Sequence, residues 1–406
     1  MQSKTFWIIN QYASTPNTGM GGRNYYIAKY LAKMGHKVYL IASGYTHLLR
    51  EPPYLKDEFT INKLEKNLNF VWVKMPRYNH AHDKRRILNW FLFVWKILKL
   101  PKKIKKKPDI ILISSPSIFS FLGAHRLAKK FNSKLVFEVR DIWPLTLVEL
   151  GGYSKFHPFI FLMQFIEDRA YRYSDFVFSN LPYAVDHMVE RGMNRKKFSW
   201  IPNGIDVNEL ENPIPLDKKI ESKIPYSKFI VGYSGTMGIA NALYTLIDAA
   251  KILKDNNDIA FVMVGDGSEK RKLQEISKNL ENVYILDPIQ KQQIQNLLLR
   301  FDLCFIGSTH LPIYRFGTAP NKIPEYMYSS KPILQSCNDA FDYISEADCG
   351  ITVSSMDSSA IAEAILYFKN LSSQDLRRMG ANAKSYVLAN HDYSKLALKI
   401  SAVLSE

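Results

Sequence analysis

The chain has 406 residues, of which 47% are hydrophobic and 23% charged, and 54 Lys+Arg against 38 Asp+Glu give a formal net charge of +16. This composition excludes a disordered or fibrous protein, and the length exceeds the ~250–300 residues at which one core stops growing, so two domains are expected. Three cysteines (Cys304, Cys337, Cys349) with no CxxC pair argue against a disulfide framework and structural zinc, and for a reducing compartment.

Met1–Lys4 leads straight into the apolar run Phe6–Asn10, which reads as a strand with no signal peptide before it. Val38–Ala42, Phe70–Met75, Ile110–Ser114, Leu135–Val139, Phe176–Ser179 and Phe198–Ile201 repeat that pattern. Phe229–Tyr233, Ala260–Val264, Val283–Leu286, Leu303–Ile306, Ile333–Gln335 and Ile351–Val353 form a second set. Continuous apolar strands alternating with helical patterns predict parallel sheets covered on both faces. Asn212-Pro213-Ile214-Pro215 and Ile224-Pro225 interrupt the alternation. The expected architecture is α/β, with two doubly wound Rossmann-like domains sharing a cleft: residues 1–202, a linker at 203–227, and residues 228–390. Residues 391–406 are expected to form a helix packing back on the N-terminal domain.

The charge is uneven. Residues 1–200 hold 33 basic and 14 acidic side chains, and residues 201–406 hold 21 and 24, so the first half carries the whole excess. Ten basic residues and no acid lie between Lys84 and Pro108, around the apolar run Ile87–Leu100. Those 14 residues span ~21 Å as a helix, too short for ~30 Å of hydrocarbon. No apolar stretch reaches ~18 residues without charge, so no membrane span is expected. Trp90, Phe91, Phe93 and Trp95, followed by Lys102, Lys103, Lys105, Lys106 and Lys107, suit a helix lying on an anionic membrane surface. Nucleic acid is not expected, because no finger spacing, RNP-like strand or helix-turn-helix accompanies the charge.

In doubly wound sheets ligands bind at the carboxyl ends of strands, so the loops there are the candidate sites. Gly21 and Gly22 follow the first strand and precede a helix, which suits an anion; a tight turn would explain one of the two glycines. GxGxxG is not met, since Asn24 takes the third glycine position. Glu138-Val139-Arg140-Asp141-Ile142-Trp143-Pro144 ends a buried strand with charge, which either serves a ligand or pairs internally. Gly235-Thr236-Met237-Gly238 and Gly265-Asp266-Gly267 are short glycine loops without a Walker lysine. His80-Ala81-His82-Asp83 reads as a solvated loop rather than a metal site, and no D-x-D occurs. In Gly317–Met327, backbone N–H groups with Lys322 could hold a diphosphate without metal, and Glu325 could accept from two adjacent hydroxyls or merely complement a helix dipole.

In order, these segments resemble a bacterial glycosyltransferase of family 4, with the GT-B fold. Gly21-Gly22 with Leu31-Ala32-x-x-Gly35-His36-x-Val38 is similar to that family's opening motif. Ile201-Pro202-Asn203-Gly204-Ile205-Asp206 is similar to its interdomain signature, Val264-Gly265-Asp266-Gly267 to its second-domain turn, and Pro320–Met327 with Lys331-Pro332-Ile333 to its donor motif. The Arg140–Pro144 and Gly235–Gly238 variants look most like the branch transferring N-acetylfucosamine-type sugars in O-antigen and capsule assembly.

The resemblance implies retaining transfer of a sugar from a UDP-sugar, with no cofactor and no metal, to a saccharide on a polyprenyl diphosphate. The protein would be cytoplasmic and peripheral on the inner face of the membrane. It implies Glu325 at the ribose, Lys322 at the diphosphate, Gly21, Gly22, Gly235, Thr236 and Gly265 along the phosphates, and Ile289 at the base. Asn203 belongs to the same donor-site set, and Asp141 and Arg140 are the catalytic candidates. Two departures stand out. Gly317 occupies the place of the first glutamate of the family's E-x7-E pair, and the Arg…Lys clamp is missing from Gly235–Asn241, leaving Arg315, Lys322 or Arg140 to supply that charge. A UDP-sugar 2-epimerase of the same fold, and a non-catalytic basic binding protein, are the rival readings.

Overall fold

Runs of β-branched and aromatic residues pair in register to form two sheets, one in each of two units of the chain. The computed structural model describes residues 2–79 and 83–405. The first unit runs through Pro202 and regains the chain from Tyr393 onward; the second is Asn203–Asp392.

The first unit opens with β1 (Thr5–Ile9), α1 (Arg23–Lys33), β2 (Lys37–Ser43), β3 (Phe59–Lys63), β4 (Leu68–Val73), α2 (Arg85–Ile97) and α3 (Leu100–Lys103). There follow β5 (Ile110–Ser114), α4 (Ser120–Phe131), β6 (Lys134–Val139), α5 (Leu145–Glu149), α6 (Pro158–Tyr173), β7 (Phe176–Ser179), α7 (Ala184–Glu190) and β8 (Phe198–Trp200). The second unit has α8 (Val207–Leu210), α9 (Lys218–Glu221), β9 (Phe229–Ser234), α10 (Leu243–Ile252), β10 (Ile259–Val264), α11 (Lys270–Ile276) and β11 (Val283–Leu286). It continues with α12 (Ile294–Leu298), β12 (Leu303–Gly307), α13 (Lys322–Tyr328), β13 (Ile333–Ser336), α14 (Tyr343–Glu346), β14 (Gly350–Val353), α15 (Ser358–Asn370) and α16 (Ser373–Asn390). The final helix, α17 (Tyr393–Val403), lies in the first unit.

The first sheet has the order β3-β4-β2-β1-β5-β6-β7-β8 and the second β11-β10-β9-β12-β13-β14. Strand order reverses beside β1 and beside β9, and at these switch points the loops diverge and leave room for a ligand. The inner strands are buried on both faces, as their unbroken apolar runs require: Phe6, Ile8, Leu40 and Leu112 in one core, Val231, Phe261, Met263 and Phe305 in the other. Helix α17 lays Tyr393, Leu396 and Ile400 into the first core, where Tyr393 stacks on Tyr26 with ring centroids 5.1 Å apart.

Three features differ from the sequence reading. Strand β3 pairs antiparallel with β4 at the sheet edge; its sequence, Phe-Thr-Ile-Asn-Lys, buries only Phe59 and so carries little apolar signal. Residues 203–227 hold two short helices and are tied down in the second unit, with Asn296 Nδ2 donating to Ile214 O (2.7 Å) and Gln293 Nε2 to Pro215 O (2.9 Å).

The third concerns α2, which packs on α4. Gly123 of α4 meets Ile97 so closely that an added Cβ would lie 2.6 Å from its Cδ1. Phe93 is fully buried, and Trp90 is buried with its ring stacked on Phe119 and its Nε1 donating to Tyr12 Oη (2.7 Å). Both rings therefore belong to the core rather than to a membrane-docking face. The helix is amphipathic in packing although its outward positions are themselves apolar, which hid the buried face from a hydropathy reading. Phe91 and Trp95 are exposed, as are Lys102, Lys103, Lys105, Lys106 and Lys107. Among the described residues no helix is long and apolar enough to cross a membrane. His80, Ala81 and His82 lie outside the described residues.

Candidate functional site

In the second unit the loop after β9 folds against the loop after β10, backbone to backbone. An added Cβ would fall 1.9 Å from Gly235 O at Gly265 and 2.4 Å from Met237 O at Gly267, so only glycine permits this approach. Gly235 N donates to Val264 O (3.0 Å) and Met237 N to Asp266 O (2.8 Å). Tyr233 Oη and Asn241 Nδ2 both donate to the Thr236 carbonyl (2.5 and 2.9 Å), which pins the turn and leaves the Thr236 side chain exposed.

Helix α13 brings its first residue to this turn. Lys322 Nζ donates to Asn241 Oδ1 (3.2 Å) and lies 5.2 Å from the centre of the Tyr233 ring; an added Cβ at Gly235 would meet Lys322 Cε at 2.3 Å. Tyr326 anchors the helix, accepting from Ser234 N (2.7 Å) and donating to Ser234 O (3.0 Å). One turn after Lys322 stands Glu325, whose carboxylate makes no hydrogen bond and no ion pair among the described residues, although Gln295 Nε2 holds its backbone carbonyl at 3.1 Å. Burial pushes the Glu325 carboxyl up from its ordinary value, with Lys291 and Lys322 opposing. Burial also pushes the Lys322 ammonium down, with Glu325 opposing. The result is a cation and a carboxylate, both half-buried and not neutralising each other, beside a glycine turn at the switch point of the sheet. Such groups suit a ligand that carries anionic oxygens next to hydroxyls.

The remaining predicted donor-side residues are more dispersed. Arg315 sits on the 3-10 turn Pro312–Phe316, exposed, its Nη1 donating to Pro312 O (2.7 Å) and its guanidinium over Phe316. The charge adjoining the glycine turn is thus that of Lys322. Ile289 is half-buried in the loop after β11. Asn203 Nδ2 donates to Ala319 O (2.7 Å) and its carbonyl accepts from His391 Nδ1 (2.6 Å), so it braces the segment leading into α13. Burial pushes His391 down to about 4, which keeps the ring neutral. A groove of about 560 Å³ is lined by residues 222–226 and 284–286, none of which belongs to these groups.

In the first unit Gly21 and Gly22 have φ +69° and +81°, so backbone conformation demands both glycines. The next residue, Arg23, is buried and donates from Nε to Glu138 Oε1 (2.8 Å) and from Nη1 to Pro202 O. Glu138 is fully buried and also accepts from Asn24 Nδ2 (2.8 Å) and Ser114 Oγ (2.6 Å). Burial alone would raise the Glu138 carboxyl, but the Arg23 charge and the hydrogen bonds from Ser114, Arg23 and Asn24 outweigh it and hold the group below its ordinary value. The charge at the end of β6 therefore pairs internally, but with Arg23, 115 residues distant in sequence, and not with Arg140 or Asp141. Arg140 N donates to Ser115 Oγ (2.9 Å). Asp141 is exposed.

The sequence reading missed Asn241, Tyr233 and Tyr326, which hold the glycine turn and Lys322, and it missed the Arg23–Glu138 pair. A glutamate at the end of a fully apolar strand was the available signal, since a buried carboxylate needs a partner. Among the described residues no three His, Cys, Asp or Glu side chains converge as metal ligands would.

The sequence matches the family described as Glycosyltransferase Family 4 over residues 18–209 and that described as Glycosyl transferases group 1 over residues 228–370. It is 24% identical over 324 residues to a protein of Escherichia coli (strain K12) named as a colanic acid biosynthesis glycosyl transferase, WcaI, with 76% of each chain covered. Sucrose-phosphate synthase from Thermosynechococcus elongatus has the same fold, at TM-score 0.75 and 15% identity over 98% of both chains. So does Anabaena HepE, solved with UDP and glucose, at TM-score 0.66 and 15% identity over 99% of this chain and 100% of that one.

Proposed function

The chain belongs to glycosyltransferase family 4, with the GT-B fold of two Rossmann-like domains, and from that premise we propose that it uses a UDP-sugar as donor. The observation that carries this reading is the pairing of Lys322 with the Gly235 turn, one helical turn from an unpaired Glu325. Lys322 and the loop N–H groups hold the diphosphate, Glu325 accepts from the two ribose hydroxyls, and Ile289 covers the base. The charge needed on the leaving diphosphate comes from Lys322 and backbone dipoles, without a metal. HepE, solved with UDP and glucose, supports a uridine donor by likeness.

In this reading the sugar is an N-acetylated amino-deoxy sugar such as N-acetylfucosamine. The acceptor is a saccharide on a polyprenyl diphosphate, and the product enters a surface polysaccharide such as O-antigen or capsule. The name of the E. coli relative supports that last assignment. The bond from the anomeric carbon to the diphosphate oxygen breaks with oxocarbenium character, and the acceptor hydroxyl attacks the anomeric carbon from the same face, passing its proton to the departing diphosphate oxygen, so UDP leaves and configuration is retained. Asp141 and Arg140, in the loop after β6, orient the acceptor or the sugar. The first unit docks on the inner face of the membrane through the lysines after α2 and the outward Phe91 and Trp95.

Incubation with UDP- and GDP-sugars and a short-chain lipid diphosphate saccharide, read by mass spectrometry, tests the reading. The expected product is the acceptor plus one sugar from a UDP donor. Release of free sugar without acceptor, or no turnover of any UDP-sugar, would overturn it.

A further inference from the structure

The longest helix of the first unit, α6, carries a face that its own core does not use. Ile160, Met163, Ile166 and Ala170 are buried, whereas Phe161 is 72% exposed, Phe165 52% and Leu162 40%. These outward residues fall at i, i+1 and i+4, one stripe of the helix. The loop before the helix continues the stripe with Phe156, 81% exposed. Phe159 stacks near both Trp90 and Phe119, and Phe91 lies against Phe119, so the middle of α2 and the amino-terminal end of α6 converge on one aromatic seam. The outward faces of both helices flank that seam, and α2 adds Leu88, Phe91 and Trp95.

A large apolar surface on a chain rich in charge needs a partner. The surrounding charge identifies it. No acid occurs from Leu150 to Ile166 or from Lys84 to Lys107. Glu167 is buried against Tyr171, and Asp168 is engaged by Arg191. The cations are outward: Lys155 lies over the Phe156 ring, Arg169 over those of Phe165 and Tyr173, and the lysines after α2 are exposed. Aromatic side chains capped by cations, with no free carboxylate among them, match an anionic lipid surface, where the rings enter the headgroup region and the cations meet phosphate.

We propose that α6 and the loop before it are the membrane-inserting element of this protein, and that the basic segment after α2 supplies long-range attraction rather than insertion. This deepens the docking reading above and rests on it: Phe156, Phe161 and Phe165 take the inserting role that the sequence pattern gives to the buried Trp90 and Phe93, and the outward Phe91 and Trp95 lie beside them.

Flotation of the full chain with vesicles of phosphatidylcholine, alone and mixed with phosphatidylglycerol in equal parts, tests it. The wild type is expected to float only with the anionic mixture. The triple variant Phe156→Ser, Phe161→Ser, Phe165→Ser is expected to lose at least about tenfold in partitioning at low and high salt alike, with an unchanged melting temperature. Substitution of Lys102, Lys103, Lys105, Lys106 and Lys107 by Gln is expected to weaken binding only at low salt. If the triple variant floats as the wild type does while the lysine variant does not, α6 is not the inserting element and the docking reading survives. If the wild type does not float, both fail. A wild-type dimer that the triple variant dissociates, with flotation unchanged, would assign the face to a second copy of the chain and overturn the proposal.

Discussion

Each unit places charged side chains beside a glycine turn at the switch point of its sheet, and the two units use them differently. In the first, Arg23 and Glu138 neutralise each other in full burial, with Asn24 and Ser114 completing the carboxylate's hydrogen bonds. In the second, Lys322 and Glu325 stand half-buried and unpaired with each other. A pair bonded to each other in this way fixes the local geometry, because breaking it strands a buried charge. An unsaturated pair stabilises little by itself and gains its partner when a ligand arrives. Stability and donor binding should accordingly separate between the units.

The largest expected effect is on stability. Glu138→Ala should lower it by about 3–5 kcal/mol in denaturant titration, since Arg23 would keep its charge without a partner. Glu325→Ala should change stability by no more than about 0.5 kcal/mol. Equal losses from both variants would dissolve the contrast. Binding should invert the order: Lys322→Ala, which removes a charge-assisted contact worth about 1.5–3 kcal/mol, should weaken UDP binding about ten- to a hundredfold.

The pH dependence sharpens the same point. Glu138 is held below its ordinary value, so its stabilising contribution is complete above the unfolded carboxyl's pKa and is lost only as pH falls through the lower folded value. Glu325 is raised and Lys322 lowered, so donor KM should climb on the acid side at a higher pH than an ordinary carboxylate gives, and on the alkaline side at a lower pH than an ordinary lysine gives. A KM flat across both ranges would show that neither group meets the donor.

The two glycine turns give the smallest effects. An alanine at Gly22 meets no atom within 4 Å but must adopt φ +81° with ψ −179°, so Gly22→Ala should cost about 1–3 kcal/mol of stability in denaturant titration. Gly235→Ala drives its methyl into Lys322 Cε and should weaken UDP binding about tenfold.

Sequence pattern made the sheets legible because buried parallel strands are continuous apolar runs. It exposed the glycine loops because positive φ and close backbone approach restrict residue choice. It could not show that Arg23 reaches Glu138, a contact made only when the fold brings the first residues of α1 to the carboxyl end of β6. Nor could it orient α2 and the first turns of α6: both are apolar on nearly every side, and packing on α4, with β6 also against α6, turns Trp90 and Phe93 inward and leaves Phe161 and Phe165 outward. Strand β3 was silent for the opposite reason, as an edge strand with one buried side chain.

The most direct measurement is calorimetric titration of the full chain with UDP, comparing wild type, Glu325→Ala, Lys322→Ala and Glu138→Gln at a temperature where all remain folded. Saturable binding by the wild type and by Glu138→Gln, with at least about tenfold weaker binding by the other two, is the expected result. Wild-type affinity in Glu325→Ala and Lys322→Ala would contradict the assignment of the donor site to the second unit's unpaired charges.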